Sequence, residues 1–289
     1  MPSYDIMIIG HITKDTLEHR GKVTFFTGGS AYFSSFAARR SSAKICVVTK
    51  LAKKDFGVLD ELRKEGVDVF AKGSPKTTSI ENVFDTDDFD KRRARLISQA
   101  DPFSPGDIPN AEARIYYLAG LFVGEIPNLL IEYLAGRGEV ALDIQAMVRS
   151  SEDVRFDFKD WREKERYLPM VTYLKADSLE SEVATGISNR EQAAMQFHGW
   201  GAKEVMITHA SEVIVCNGEK TFKAPFNPAN LSGRTGRGDT CFASYMAWRL
   251  THGIEESVKY AAALTSIKME KTGPFLGTMQ DVLERMKTL

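Results

Sequence analysis

The segment SGRTGRGDTCFASY, residues 232–245, places glycines at 233, 236 and 238, arginines at 234 and 237, and an aspartate at 239. Phe242, Tyr245, Met246 and Arg249 then recur at helical offsets, so the glycine turn should sit on a helix N-terminus. Gly236 and Gly238 leave backbone N–H groups unshielded, and free donors together with the helix dipole attract anions at such a place. An acid at this point has two readings. Asp239 is an N-terminal cap, the commonest use of Asp there, or a general base that takes the proton from an attacking hydroxyl while the amides hold a transferring phosphoryl group.

Rival motifs fail on residue chemistry. Gly233, Gly238 and Thr240 reproduce most of the G-x-x-x-x-G-K-[ST] phosphate loop, but Asp239 stands at its lysine. A carboxylate there would repel the β and γ phosphates, and the preceding APFNPANLS is too rich in Pro and Asn for the required strand. The dinucleotide pattern G-x-G-x-x-G fails because Cys241 occupies its third glycine position. The tripeptide Arg237-Gly238-Asp239 is too short to carry an adhesion signal.

The elements that must position this turn alternate along the chain. YDIMIIG (4–10) reads as a strand buried on both faces, GGSAYFSSFAARR (28–40) as a helix, and KICVVTKL (44–51) as a second strand. FGVLDELRKEGVDVFA (56–71) repeats the unit, with Gly66 stopping its helix. TTSIENVF and RRARLISQ flank the polar DTDDFDK, which predicts two strands joined by a long turn, an antiparallel insertion that could act as a flap. Arg92, Arg93 and Arg95 would then defend an exposed edge. Strands and helices alternate to about residue 210, a hairpin follows around Asn217 and Gly218, and two helices, 239–251 and 255–269, close the chain.

Composition narrows the partners. The 289 residues are 43% hydrophobic and 27% charged, enough for a large core, and 38 Lys and Arg against 39 Asp and Glu leave a net charge of −1. No global field favours nucleic acid or an anionic membrane, so small molecules are the expected partners. Cys46, Cys216 and Cys241 are dispersed, no zinc spacing occurs, and the N-terminus lacks a basic segment with a long apolar run. A soluble, cytoplasmic protein is expected.

TGRGDT resembles the C-terminal signature of PfkB-type carbohydrate kinases, the ribokinase-like family. GGSAYFSSFAARR resembles that family's glycine pair and helix, DFGVLDELRKEGVDV the helix and strand that follow, and LKADSLESEVATG its K-x-N-x-x-E segment. The resemblance implies a single domain, 1–289, with a three-layer α/β/α fold, a mainly parallel central sheet, and a small β lid drawn from about 11–27 and 77–99. It implies transfer of the ATP γ-phosphoryl group, assisted by Mg²⁺, to a hydroxyl of a sugar or cyclic polyol. ALDIQAMVR (141–149) and GGSAYF look more like the inositol kinase branch. A nucleoside kinase of the same fold, with its base slot offered by Tyr32, Phe33 or Phe122, and a non-catalytic sugar sensor are the alternatives. A homodimer through the lid is a further expectation.

By the same resemblance Asp239 is the base, and the N–H groups of Gly236, Arg237 and Gly238 line the anion hole. Asp15 would bind substrate hydroxyls, Gly28 and Gly29 would let the substrate approach the backbone, and Asn82, Gln145 and Arg149 would reach the acceptor. Glu180 would help organise magnesium through water, while Asp177, Thr208 and Thr235 would contact the nucleotide. For Asp15, Asn82, Gln145, Arg149 and Thr208 an ordinary surface or strand-end role is the competing reading. Phe33 replaces the family's usual Asn, Arg237 its usual Ala, and Gly233 and Arg234 its usual Asp and Thr, so the monovalent-cation site of some members cannot be carried over.

Overall fold

The computed structural model describes residues 3–84, 92–151 and 156–289. The chain begins with β1 (Tyr4–Ile9), β2 (Thr13–His19), β3 (Lys22–Gly28), α1 (Ser30–Arg40), β4 (Ile45–Leu51), α2 (Asp60–Lys64) and β5 (Asp68–Gly73). It continues through β6 (Ser79–Phe84), β7 (Arg92–Ser98), β8 (Ala113–Leu118), α3 (Asn128–Ala135), β9 (Glu139–Asp143) and α4 (Gln145–Val148). A small ladder, β10 (Arg149–Ser150) with β11 (Asp157–Phe158), precedes α5 (Lys164–Tyr167), β12 (Tyr173–Asp177), α6 (Ser178–Thr185) and α7 (Arg190–Gly199). Then come β13 (Glu204–Thr208), β14 (Glu212–Cys216), β15 (Thr221–Pro225), α8 (Arg237–Arg249), α9 (Ile254–Met269) and α10 (Met279–Met286).

The main sheet has nine strands in the order β15-β14-β13-β12-β9-β8-β1-β4-β5. Neighbours from β13 to β5 are parallel, and the hairpin β14-β15 closes one edge antiparallel. The apolar run of β1 shows why: Ile6 and Ile8 enter the core under α1, α8 and α9, while Met7 and Ile9 enter the opposite core with Leu130, Ile131 and Phe197 from α3 and α7. A strand sandwiched between helix layers has no solvent face, so the two-residue alternation of polarity is lost. This is a ribokinase-type α/β fold of three layers.

Strand order reverses beside β1, which sends the chain first to β4 and β5 and later to β8 on its other side. In open α/β sheets ligands bind beyond the strand C-termini at such a reversal. Gly10 ends β1 there, and a Cβ on it would lie 2.2 Å from the Ala119 carbonyl oxygen. The hollow of about 690 Å³ lined by Arg114, Gly138, Thr172 and Lys203 opens at the N-terminal ends of the strands instead, away from that crevice.

The second sheet, in the order β3-β2-β6-β7, has four strands and stands apart from the main one. The turn expected at DTDDFDK, residues 85–91, lies outside the described residues. Asp15 pairs with Phe26, and Asn82 pairs with Leu17 and Ala94. Because side chains alternate across a sheet, Asp15, Leu17, Ile80 and Asn82 share one face. Asp15, Ile80 and Asn82 are buried, and Ile80 packs with Leu121 and Phe122. Phe25 is 78% exposed and belongs to the other face, as do Val23 and Ile97.

Helix α10 departs from the expected two-helix ending. Its signals are a capping box, in which Thr278 accepts from the Asp281 amide and Asp281 accepts from the Thr278 amide, and a packed face of Met279, Val282, Leu283 and Met286. The glycines and proline at 273–277 mask that short periodicity in the sequence. Gly10→Ala should destabilise the protein by about 1–3 kcal/mol, because backbone rather than a movable side chain stands in the way. Urea unfolding checks this, with an unchanged midpoint as the contrary result.

Candidate active site

Helix α8 starts at Arg237, with Gly236 as its N-cap in the left-handed region, φ 78°. Phe33 explains that glycine: a Cβ at 236 would fall 2.3 Å from the Phe33 ring. Phe33 therefore buttresses the turn, and it is buried against Gly236 rather than offered to a substrate. The Thr240 amide donates to the Gly236 carbonyl at 2.9 Å, and the Arg237 amide donates to the Arg234 carbonyl at 3.2 Å. The Arg237 N–H is thus already engaged. Among the described residues the amides of Gly238 and Asp239 have no backbone acceptor, which leaves them as the first-turn donors for an anion.

Asp239 does not cap the helix. Its Oδ1 accepts a hydrogen bond from Ser30 Oγ at 2.7 Å, and its backbone carbonyl accepts one from Ser34 Oγ at 3.3 Å. The Ser30 hydrogen is committed to Asp239, so the Tyr117 hydroxyl is the donor across the 3.4 Å to Ser30 Oγ. Burial, reinforced by the charges of Asp143 and Asp239, holds the Tyr117 phenol well above its usual range, so it stays neutral. A chain of hydroxyls, Tyr117 to Ser30 to Asp239, fixes the direction of the carboxylate. Sequence reasoning missed Ser30 as a functional residue, although it follows the glycine pair that was singled out.

The acceptor side lies next to Ser30. Gly29, φ 96°, is the N-cap of α1, and a Cβ on it would sit 2.4 Å from the His11 carbonyl oxygen. A Cβ on Gly28 would sit 2.8 Å from Asp15 Oδ2. Asp15 lies inside β2, not in a loop. Its Oδ1 accepts from the Ile80 amide at 2.8 Å and its Oδ2 from Thr13 Oγ1 at 2.8 Å, so the carboxylate joins the two hairpins of the small sheet. Asn82 shares its face. Arg149 lays its guanidinium over Phe122 and Phe156, 4.6 and 4.9 Å from the ring centres, and donates Nε to the Leu121 carbonyl. It is a wall of this region, not a solvent arginine. Gln145 opens α4, and its amide donates to Asp143 Oδ1 at 3.1 Å.

Beneath the turn is a charged cluster that joins Lys175 and Asp143, which sequence reasoning missed, to the expected Glu180. Buried Lys175 donates to Asp143 at 2.9 and 3.1 Å and lies 3.5 Å from Glu180. A Cβ on Gly238 would stand 3.3 Å from its Nζ and 3.7 Å from Thr208 Oγ1, so both residues lie directly behind the anion site. Burial opposes the Lys175 charge, but Asp143 and Glu180 outweigh it and hold the ammonium well above its usual range. One ammonium serves two buried acids: burial pushes the more distant Glu180 up to about 8, against the pull of Lys175. Asp177 is the N-cap of α6, accepting from the Glu180 amide at 2.8 Å, while Glu180 Oε2 accepts from the Asp177 amide at 2.7 Å. This reciprocal box anchors both carboxylates to their own helix.

That geometry bears on magnesium. No group of three or more His, Cys, Asp or Glu side chains among the described residues is arranged to hold a metal ion. Mg²⁺ keeps waters and binds through substrate phosphates with few protein ligands, and such a mode fits Glu180 acting through water. Thr235 is exposed, but its carbonyl accepts a hydrogen bond from Lys268 Nζ.

Site and fold together define a small-molecule kinase, with a helix start that leaves the Gly238 and Asp239 amides free of backbone acceptors, a fixed carboxylate there and the buried polar face of the small sheet near the glycine pair. The model of the pfkB family of carbohydrate kinases matches residues 1–279, and the chain belongs to that family. It is similar to a solved pyrophosphate-dependent kinase of the ribokinase family in a sulfate complex, at 37% identity, TM-score 0.90, covering 97% of this chain and 99% of that one. A pyrophosphate-dependent kinase complexed with a pyrophosphate analogue and myo-inositol is 36% identical, with TM-score 0.88 and coverage of 97% and 99%. A cytidine kinase from Thermococcus kodakarensis is 26% identical over 93% of this chain and 97% of its own length. An inositol 3-kinase from Arabidopsis thaliana is 29% identical over 63% of this chain and 52% of its own length.

Ser30→Ala should leave folding and acceptor KM nearly unchanged and lower kcat by about 10- to 10²-fold, the scale set by small misplacements of a reacting group. Steady-state kinetics checks it, and an unchanged kcat would mean that the serine does not aim Asp239.

Proposed function

We propose that the protein phosphorylates a hydroxyl of a cyclic polyol of the inositol type, with Asp239 as general base. The observation that carries this reading is the Ser30–Asp239 hydrogen bond, which holds a carboxylate of the glycine turn beside the Gly28–Gly29 pair, whose Gly28 lies against Asp15 on the face shared with Asn82. Asp15 and Asn82 would hold ring hydroxyls, and Leu121 would pack on the ring's apolar face. As the hydroxyl oxygen bonds to phosphorus, its proton passes to Asp239. The bond from phosphorus to the bridging oxygen breaks, and the leaving phosphate keeps that electron pair. The amides of Gly238 and Asp239, with the Arg237 guanidinium, would stabilise the charge on the transferring group. Magnesium, held by phosphate oxygens and through water by Glu180, would supply charge neutralisation. Closure of the small sheet would exclude water, which otherwise competes as acceptor.

For the donor, the family resemblance points to ATP with Asp177, Thr208 and Thr235 as nucleotide contacts. Two observations favour pyrophosphate. Several of the solved relatives above 30% identity are described as pyrophosphate-dependent. Fixed cations also crowd the turn, with Lys175 behind Gly238, Lys268 on Thr235 and Arg237 at its first helical residue. A donor without a nucleoside can be held only through its phosphates, and such charges serve that purpose.

Three features weigh against the nucleoside alternative. Phe33 supports Gly236, and Tyr32 is buried with its hydroxyl bonded to Glu61, so neither offers a base slot. Phe122 is covered by Arg149. The reading also includes a homodimer through the outer face of the small sheet, supported by exposed Val23, Phe25 and Ile97. A cytoplasmic location is supported by three buried free cysteines, and no described helix is long and apolar enough to cross a membrane.

Pyrophosphate and ATP, each offered with myo-inositol, ribose, fructose, cytidine and adenosine and followed by ³¹P NMR, test the proposal. The expected product is an inositol phosphate, formed fastest from pyrophosphate. Nucleoside monophosphate as the main product would reverse the acceptor assignment, and saturable polyol binding without any ester would favour the sensor.

A further inference from the structure

Lys268 lies in the last turn of α9 and is 2% exposed. Its Nζ donates to the Gly233 carbonyl at 2.6 Å and to the Thr235 carbonyl, and it stands 5.3 Å over the Phe33 ring. The loop it grips is pressed onto the same helix end. The Gly233 amide donates to the Met269 carbonyl at 2.8 Å, and a Cβ on Gly233 would fall 1.7 Å from the Lys271 carbonyl oxygen. That contact explains why Gly233 carries no side chain, and it leaves the two carbonyls to be satisfied by a cation from α9.

We infer that Lys268 is a positioning residue for phosphoryl transfer, a built-in cation that sets the anion-binding turn and leaves the enzyme independent of any added monovalent cation. The inference rests on the proposed kinase function. In a trans peptide the C=O and N–H point in opposite directions. Anchoring the Thr235 carbonyl on Lys268 therefore turns the Gly236 N–H away from α9. Anchoring the Gly233 carbonyl does the same for the Arg234 N–H. Phe33 packs against Gly236 from beneath the same ammonium, so loop, ring and helix end form one clamp.

A side chain kept only for packing would not need a charge here. Burial pulls the Lys268 ammonium down to about 8, and the Asp239 carboxylate opposes that pull. The cation is thus linked electrostatically to the base, beyond holding the loop. Lys268 already occupies the carbonyls of Gly233 and Thr235, so a diffusible ion such as potassium placed at them would have to displace the ammonium and would meet its positive charge.

Removing the side chain should expose a cavity that a free ammonium ion, with the same charge and donors, can enter. Wild-type turnover should be the same in ammonium, potassium and tetramethylammonium chloride at equal ionic strength. Lys268→Ala should lose about 10²-fold in kcat, with acceptor KM little changed. Ammonium chloride should restore part of that loss, and tetramethylammonium, which has no N–H and is too large, should not. The melting temperature gives a readout independent of turnover: ammonium should raise it in Lys268→Ala relative to tetramethylammonium, and not in the wild type. Wild-type kcat in the variant, or equal losses of kcat and stability with no ammonium response, would overturn the inference. If no donor and acceptor pair turns over even in the wild type, the functional reading fails. The ammonium-dependent melting shift then decides the clamp, its presence supporting it and its absence overturning it. Should the alanine variant not fold, Lys268→Gln keeps a donor without the charge: reduced kcat at preserved melting temperature supports the inference, and wild-type kcat overturns it.

Discussion

The hydrogen bond from Ser30 Oγ to Asp239 Oδ1 joins distant parts of the chain at the site. Ser30 starts the helix that follows the glycine pair, and Asp239 lies in the first turn of a helix more than two hundred residues later. Each can be where it is only because β1 and its neighbours end at the same edge of the sheet and because α1 and α8 pack on the same face. A contact of such sequence separation forms only once the sheet is assembled, so the competent site is a consequence of the complete fold.

Charge is arranged in depth around that bond. An anion site made of amides and a helix start is worth little when exposed, about 0.3–1 kcal/mol per charge. Lys175 and Lys268 strengthen the site from behind, out of contact with solvent. Both are satisfied differently. Lys175 faces the carboxylates of Asp143 and Glu180, whereas Lys268 faces carbonyl oxygens and an aromatic ring. Neither is neutralised by a flexible surface partner, so both hold their geometry as the donor arrives.

The fold and the helix start that carries Asp239 were legible because both depend on local rules. Apolar runs ending in glycine mark buried parallel strands, and the glycine turn ahead of an apolar helical pattern marks an anion site. What was illegible depends on backbone partners and long-range packing. Lys268 binds carbonyls, which leave no side-chain signature. Phe33 stands where the family usually has Asn, and only its packing against Gly236, with positive φ, shows what the ring does there. Asp15 was read as a substrate contact, and its buried place in a strand, with neighbours tying down both its oxygens, was not foreseen. The cap reading of Asp239 fell for a similar reason: the helix takes Gly236 as its cap, and the carboxylate turns toward a serine from the other end of the chain.

The central claim is that Asp239 removes the acceptor proton, and Asp239→Asn, compared with wild type in both acceptor binding by calorimetry and phosphoryl transfer in a single turnover, tests it most directly. The account predicts unaltered folding, acceptor affinity within the same order of magnitude, and transfer slowed by about 10² to 10⁴. Transfer at the wild-type rate would contradict it.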